Sequence, residues 1–285
     1  MAGSGTSAGL GLCSAAFWGG SDFAGGWGSR RAPALLIVTS GQILSLAFLV
    51  ILCYALRVPA PAARFAVLAI VGGFEGALSL VIFYRALAIG AMGLTAALTG
   101  LLTALIPVLF SIFRDGLPAP INVAGLATGC VAIWFITQQR QTQHGNETPA
   151  TSGKALLLGT FAGIGFGGQL VLLNLASAGG VLWSLTWTRV AGVSALMLAL
   201  AILRSRAPIK TYLPIGILAG ALDTVGNLFY VLAARAGRLD IAAMVSSLYP
   251  AVTILLAAIL FHERPSRRQM AGIGLALAAV TMLSA

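Results

Sequence analysis

Apolar residues run along this chain in blocks of about helix-spanning length, separated by short polar breaks. Only one polar stretch is long, Thr137 to Gly153, TQQRQTQHGNETPATSG. A helix needs about 20 apolar residues to cross about 30 Å of hydrocarbon. By that measure the blocks predict ten helices, at roughly 7–28, 33–56, 65–85, 91–113, 119–136, 155–175, 179–203, 212–234, 239–261 and 267–284. The intervening loops are short and leave no segment for a soluble domain. Hydrocarbon offers the backbone no hydrogen-bond partners, so runs of this kind span only as helices. The expected fold is an all-α polytopic membrane bundle.

The two halves of the chain resemble each other. A shift of 147 pairs Gly90 with Gly237, Thr99 with Ser246, Pro118 with Pro265, and Ala124-Gly125 with Ala271-Gly272, without a gap. Further upstream a shift of 148 puts Trp18-Gly19-Gly20 on Phe166-Gly167-Gly168 and Glu75 on Asp223. The predicted organisation is a first five-helix unit over 1–136, a polar linker over 137–153 and a second five-helix unit over 154–285. Units with an odd number of helices, joined in series, enter the membrane from opposite sides. The result is an inverted repeat, common among secondary transporters.

Composition agrees with this reading. The chain is 59% hydrophobic and 8% charged, too few charges to cover a soluble surface of this size. Its net charge of +10 would suggest a nucleic-acid partner in a soluble protein. Here the basic residues sit singly or in small groups between apolar blocks, the pattern that orients membrane helices, so no nucleic acid is expected. Cys13, Cys53 and Cys130 lie inside apolar blocks with no paired spacing, which points to packing rather than disulfides or metal. The first block has no basic n-region and carries Trp18 and Asp22, so it reads as a membrane helix and not a cleaved signal peptide.

One stretch carries a family resemblance: Tyr249-Pro250-Ala251-Val252-Thr253-Ile254-Leu255-Leu256, running to Phe261-His262-Glu263-Arg264-Pro265 and Ala271-Gly272-Ile273-Gly274. It resembles the Pro-Val, Gly-Glu-Arg and Gly signature of EamA-type members of the drug/metabolite transporter superfamily. The first half departs from it, with Thr103 in the place of Pro250, Gly116 in that of Glu263, and Pro107 one turn later. Within the superfamily the chain is similar to bacterial exporters of amino acids and related metabolites. The resemblance implies ten helices in two copies, alternating access by rocking or bending of the five-helix halves, and a central cavity lined by helices one, three, four, six, eight and nine. Helices five and ten would be scaffold or an oligomer contact.

Carboxylates inside a membrane helix are costly, at least about 2.5–3.5 kcal/mol each, so they are expected to face the bundle interior. Asp22, Glu75 and Asp223 qualify. Ser79 follows Glu75, and Asn227 follows Asp223, at the four-residue spacing that shares a helix face, with Tyr230 beyond. Since the shift maps these two faces onto each other, they are expected to meet near the midplane. Arg189 lies well inside the seventh block, either as counter-ion of a carboxylate or snorkelling to the interface. Thr95, Thr99 and Thr103 repeat every four residues, and Ser246-Ser247 lie one turn before Pro250. An interior proline removes a backbone bond and frees a carbonyl. Trp18, Tyr230 and Tyr249 offer an aromatic wall, whereas Trp27, Trp134 and Trp183 read as interfacial anchors. The candidate substrate-binding set is therefore Trp18, Asp22, Glu75, Ser79, Thr99, Gln169, Asp223, Asn227, Tyr230, Ser246 and Tyr249.

Small residues suggest close helix contacts: Gly125 and Gly129 form a GxxxG in the fifth helix, and Gly272 and Gly274 mark the tenth. A monomer is expected rather than a dimer. Glu263, among Arg264, Arg267 and Arg268, reads as a loop tether. Enzyme chemistry finds no motif, because His144 falls in the linker and His262 in a loop, and there is neither HExxH, paired CxxC nor a Gly-rich phosphate loop. No catalytic residue, metal or cofactor is expected. The functional expectation is a transporter exporting amino acids or similar small metabolites through a bacterial inner membrane, with protons as a candidate coupling ion. The alternative is a proton-coupled exporter of lipophilic cationic drugs. Loops on the linker side (Arg30, Arg31, Arg140, Lys154, Arg204, Arg206, Lys210, Arg264, Arg267, Arg268) carry more positive charge than those opposite (Arg57, Arg64, Arg114, Arg235, Arg238). The positive-inside rule then places the linker in the cytoplasm.

Overall fold

The computed structural model describes residues 2–29, 31–89, 92–137, 153–260 and 266–284. Residues 138–152 of the linker and Phe261 to Pro265 of the signature lie outside the described residues, as does the side chain of Thr95. The described residues form α-helices and loops, with no strand among them. In chain order the helices are α1 (Ala2–Ser29), α2 (Ala34–Ala55), α3 (Ala63–Ile89), α4 (Met92–Asp115), α5 (Pro120–Thr137), α6 (Gly153–Ser177), α7 (Val181–Leu203), α8 (Ile209–Ala236), α9 (Leu239–Ser246), α10 (Tyr249–Leu260) and α11 (Arg267–Ser284). Local sequence explains many of the ends. Pro33 and Pro208 immediately precede α2 and α8, where a missing N–H costs nothing. Gly116, at φ +79°, follows α4 in the left-handed conformation and returns its N–H to the Ile112 carbonyl at 2.9 Å.

The sequence predicts one ninth helix over 239–261, and here the structure differs. Pro250 has no N–H for the Ser246 carbonyl, so one helical bond is missing at this point. The chain instead tightens, with the Leu248 N–H on the Val245 carbonyl at 3.2 Å and the Ala251 N–H on the Leu248 carbonyl at 3.0 Å. α9 ends at Ser246 and α10 restarts at Tyr249. In the first half Thr103 stands where Pro250 does. It keeps its N–H, adds a hydroxyl bond to the Thr99 carbonyl at 2.9 Å, and α4 runs unbroken past Pro107. With α9 and α10 taken as one broken rod, the described helices make ten rods, matching the expected segments.

By length and composition, seven described spans could cross a membrane, the α9–α10 rod among them, and Pro120–Ile136 is apolar but shorter. α1 is rich in Gly and Ser and falls below that measure. Its packing explains why: α8, α9, α10, α11 and α2 all contact it, so it need not present an apolar face to lipid. Large apolar side chains such as Phe48, Ile51, Leu78, Phe113, Leu198, Ile202 and Ile259 point outward from the other helices. An exposed apolar surface on this scale suits a hydrocarbon solvent.

The most extensive helix pairs join one half of the sequence to the other. α8 runs antiparallel along α1, with Ser7 and Ser21 donating to the carbonyls of Ala233 and Ala219, each at 2.9 Å. α3 runs along α6 in the same manner, with Gly72 on Leu172 and Gly165 on Ser79. α2 packs on α8 as α7 packs on α3, and α5 packs on α11. The register shift read from the sequence converts α1 into α6 and α3 into α8, so these contacts form matched sets. The α2–α8 crossing is close, since a methyl at Gly220 would lie 2.5 Å from the Gly41 Cα. The GxxxG of α5 is used within the chain: Gly125 meets Met282 and Leu283 of α11, and Gly129 meets Met244 of α9.

Candidate functional site

The helix crossing of α1 and α8 places an aromatic cluster in mid-bundle. Gly226 leaves room for the Trp18 indole, whose Nε1 would lie 2.8 Å from a methyl at that position. Trp18 then stacks on Tyr230 (centroids 5.7 Å apart) and meets Tyr249 of α10 edge-on (6.2 Å). Tyr230 is fully buried, and its hydroxyl is committed to the Leu170 carbonyl of α6 at 3.0 Å. Tyr249 and Trp18 are half-buried. One turn beyond Trp18, Asp22 is exposed and lies within electrostatic reach of Asp223 and Tyr249.

Asp223 has a cationic partner. Arg189 Nη2 of α7 donates to Asp223 Oδ2 of α8; the Arg189 side chain is 6% exposed and that of Asp223 34%. This decides the placement that the sequence left between counter-ion and snorkelling. Asn227, one turn along, donates to the Asp223 carbonyl at 2.7 Å, within its own helix. Asp22, Asp223 and Arg189 together carry one net negative charge.

Glu75, Ser79 and Gln169 form a second group, in the α3–α6 seam. The Glu75 carboxylate rests on Gly168, the Ser79 hydroxyl on Gly165, and the Gln169 amide on Gly76. Each polar group has a glycine opposite it, and a Cβ at any of the three would collide with it. These glycines escaped the sequence reading, although their register with Glu75, Ser79 and Gln169 was visible once the two helices were known to cross. The two acid-bearing faces do not meet as the repeat suggested. α3 and α8 make no extensive contact, and α6 and α7 each touch both. Glu75 therefore faces α6, while Asp223 faces Arg189 and Asp22.

Thr99 and Ser246 are repeat-related but differently engaged. Thr99 donates to the Gly159 carbonyl of α6 at 2.9 Å. Ser246 is fully buried beside the helix break, and its hydroxyl has no hydrogen-bond partner, nor has that of Ser247. Every residue of α9 is buried. At that end Arg238 bonds to the fully buried Asp240 at 3.0 Å and to the Gly116 carbonyl after α4 at 2.7 Å. Arg238 thus ties the start of α9 to the end of α4.

Residues 147–285 match the EamA-like transporter family. These are transporters and not enzymes. No curated protein matches the chain. A solved structure titled only as a crystal structure of a protein superposes with a TM-score of 0.74 at 18% identity, covering 97% of this chain and 95% of its own. At that identity the likeness speaks for the fold. The chain is a multi-pass helical membrane protein, and its second half is similar to a transporter family.

Proposed function

From an EamA-like transporter domain on an internally repeated helical bundle, we propose that the chain exports amino acids or related small metabolites across a bacterial inner membrane by alternating access. The observation that carries this reading is the trio Asp22, Asp223 and Arg189, set beside Trp18 and Tyr249 at the level of a broken helix. Discontinuous helices at the midplane supply unpaired backbone to a ligand. Acids and an arginine supply both signs of charge, and the aromatic faces suit an apolar side chain.

The moving bodies of this proposal are not the five-helix halves. α1, α2, α8, α9 and α10 hold to one another, as do α3, α4, α6 and α7, with α5 and α11 as a paired support. Hydrogen bonds join the two bodies, among them Arg189 to Asp223, Tyr230 to the Leu170 carbonyl, Arg235 to the Ser177 carbonyl, Thr186 with Cys53, and Arg238 to the Gly116 carbonyl. Their loss and recovery would accompany the exchange of access. The units over 1–136 and 154–285 are then the evolutionary repeat, and each contributes helices to both bodies. With the GxxxG face of α5 already occupied by α11 and α9, a monomer is the working unit.

The test is counterflow in liposomes, with labelled amino acids set against a lipophilic cation and repeated across a pH gradient. Stimulation by amino acids supports the proposal. A second reading, proton-coupled export of lipophilic cations, is favoured by one observation: Asp22 stands exposed beside Tyr249, where an aromatic-lined acid would hold a cation. Stimulation by the cation alone would establish that reading instead.

A further inference from the structure

Arg189 is buried in mid-bundle and engages one partner among the described residues, through one of its nitrogens. A guanidinium has five N–H donors in a planar fork that matches a carboxylate edge to edge. Asp223 occupies one corner of that fork. The other corners of the fork are available to a second acceptor. The surrounding charge says what that is. Asp223 faces Arg189 on one side and lies within electrostatic reach of Asp22 on the other. The two acids and one cation leave an excess negative charge at Asp22 and free hydrogen-bonding capacity at Arg189.

We propose that Arg189 binds the carboxylate of the transported molecule, with Asp22 taking its ammonium, so that the site selects an α-amino acid zwitterion over an amine of the same side chain. This rests on the amino acid reading and names the recognition behind it. On binding, charges alternate in sign: Asp223, Arg189, substrate carboxylate, substrate ammonium, Asp22. No like charges are neighbours, and Arg189 gains a partner without having to surrender Asp223. A simple amine would satisfy Asp22 and leave the fork unfilled. Trp18 and Tyr249 would cover the side chain, which makes phenylalanine a suitable probe.

The experiment measures counterflow of phenylalanine, phenylalaninamide and phenethylamine through the purified chain in liposomes. Wild type is expected to prefer phenylalanine over the other two by about tenfold or more, equivalent to about 1.4 kcal/mol. Removing Arg189 alone would strand Asp223, so the informative variant is Arg189→Gln with Asp223→Asn, checked for a normal melting temperature. It is expected to lose the preference for the carboxylate. Asp223→Asn by itself, which leaves Arg189 in place, is expected to retain it. Retention of the preference in the double variant overturns the assignment of Arg189 while leaving amino acid export standing. A wild-type protein that moves phenethylamine but not phenylalanine, or moves none of the three, overturns the export reading itself.

Discussion

Gly168 of α6 lies beneath the carboxylate of Glu75 on α3, close enough that a methyl at Gly168 would sit 2.9 Å from the Glu75 Cδ. The obstructed atoms are the far end of a flexible side chain, so Gly168→Ala is expected to push the carboxylate aside with little loss of stability. Glu75→Gln removes the charge and leaves the group in place. If Glu75 serves transport, both variants melt normally and both slow counterflow. Normal flux in both would remove Glu75 from the site.

Gly220 presents the opposite situation. What a methyl there would meet is backbone, the Cα and carbonyl of Gly41, and neither can step aside. Gly220→Ala is expected to force α2 and α8 apart and to cost about 1–3 kcal/mol, as overpacking does. The melting temperature in detergent should fall well below that of the Gly168 variant.

Arg238 tests the ion pair at the start of α9. Asp240 is fully buried and relies on Arg238 for its counter-charge. Breaking a buried pair from one side costs about 3–5 kcal/mol, because a charge is left unpaired. Arg238→Ala should therefore melt early, and Asp240→Asn in the same chain should restore most of the loss. A single Arg238→Ala variant as stable as wild type would contradict the pairing.

Pro250→Ala restores the missing N–H and lets Ser246 bond within a continuous helix. If the break between α9 and α10 is a hinge, the variant should keep its stability and substrate affinity yet transport more slowly. Unchanged counterflow rates would show that the break serves another purpose.

The sidedness follows from loop charge. A cysteine introduced in the linker, as Gln143→Cys, should resist an impermeant thiol reagent applied to intact cells and react once they are opened. Labelling of intact cells would reverse the orientation.

Much of the scaffold was legible in the chain. The apolar blocks gave ten rods close to those observed, because a backbone in hydrocarbon has little choice but to be helical. The ends moved by a few residues: α1 begins at Ala2 and α8 reaches from Ile209 to Ala236, since helices continue beyond the apolar run wherever neighbours cover them. Pro250 was noted as a bend, but the break at Ser247 and Leu248 needed the local hydrogen bonds to be seen. For the candidate site, the aromatic trio came together as anticipated. Asp22 and Asp223 came within electrostatic reach, whereas Glu75 lies in the α3–α6 seam, since a register shift that pairs it with Asp223 says nothing about their distance.

What the sequence determined by itself was the solvent, the rods and which polar residues share a helix face. All of these depend on spacing along one helix, which is set by about 3.6 residues per turn. The tertiary structure alone decided that Arg189 meets Asp223 rather than snorkelling, that glycines of α6 seat the polar groups of α3, and that the largest interfaces run between the halves. The reason is physical. A helical period fixes where a side chain points relative to its own axis, and only the crossing of two axes decides what it meets there.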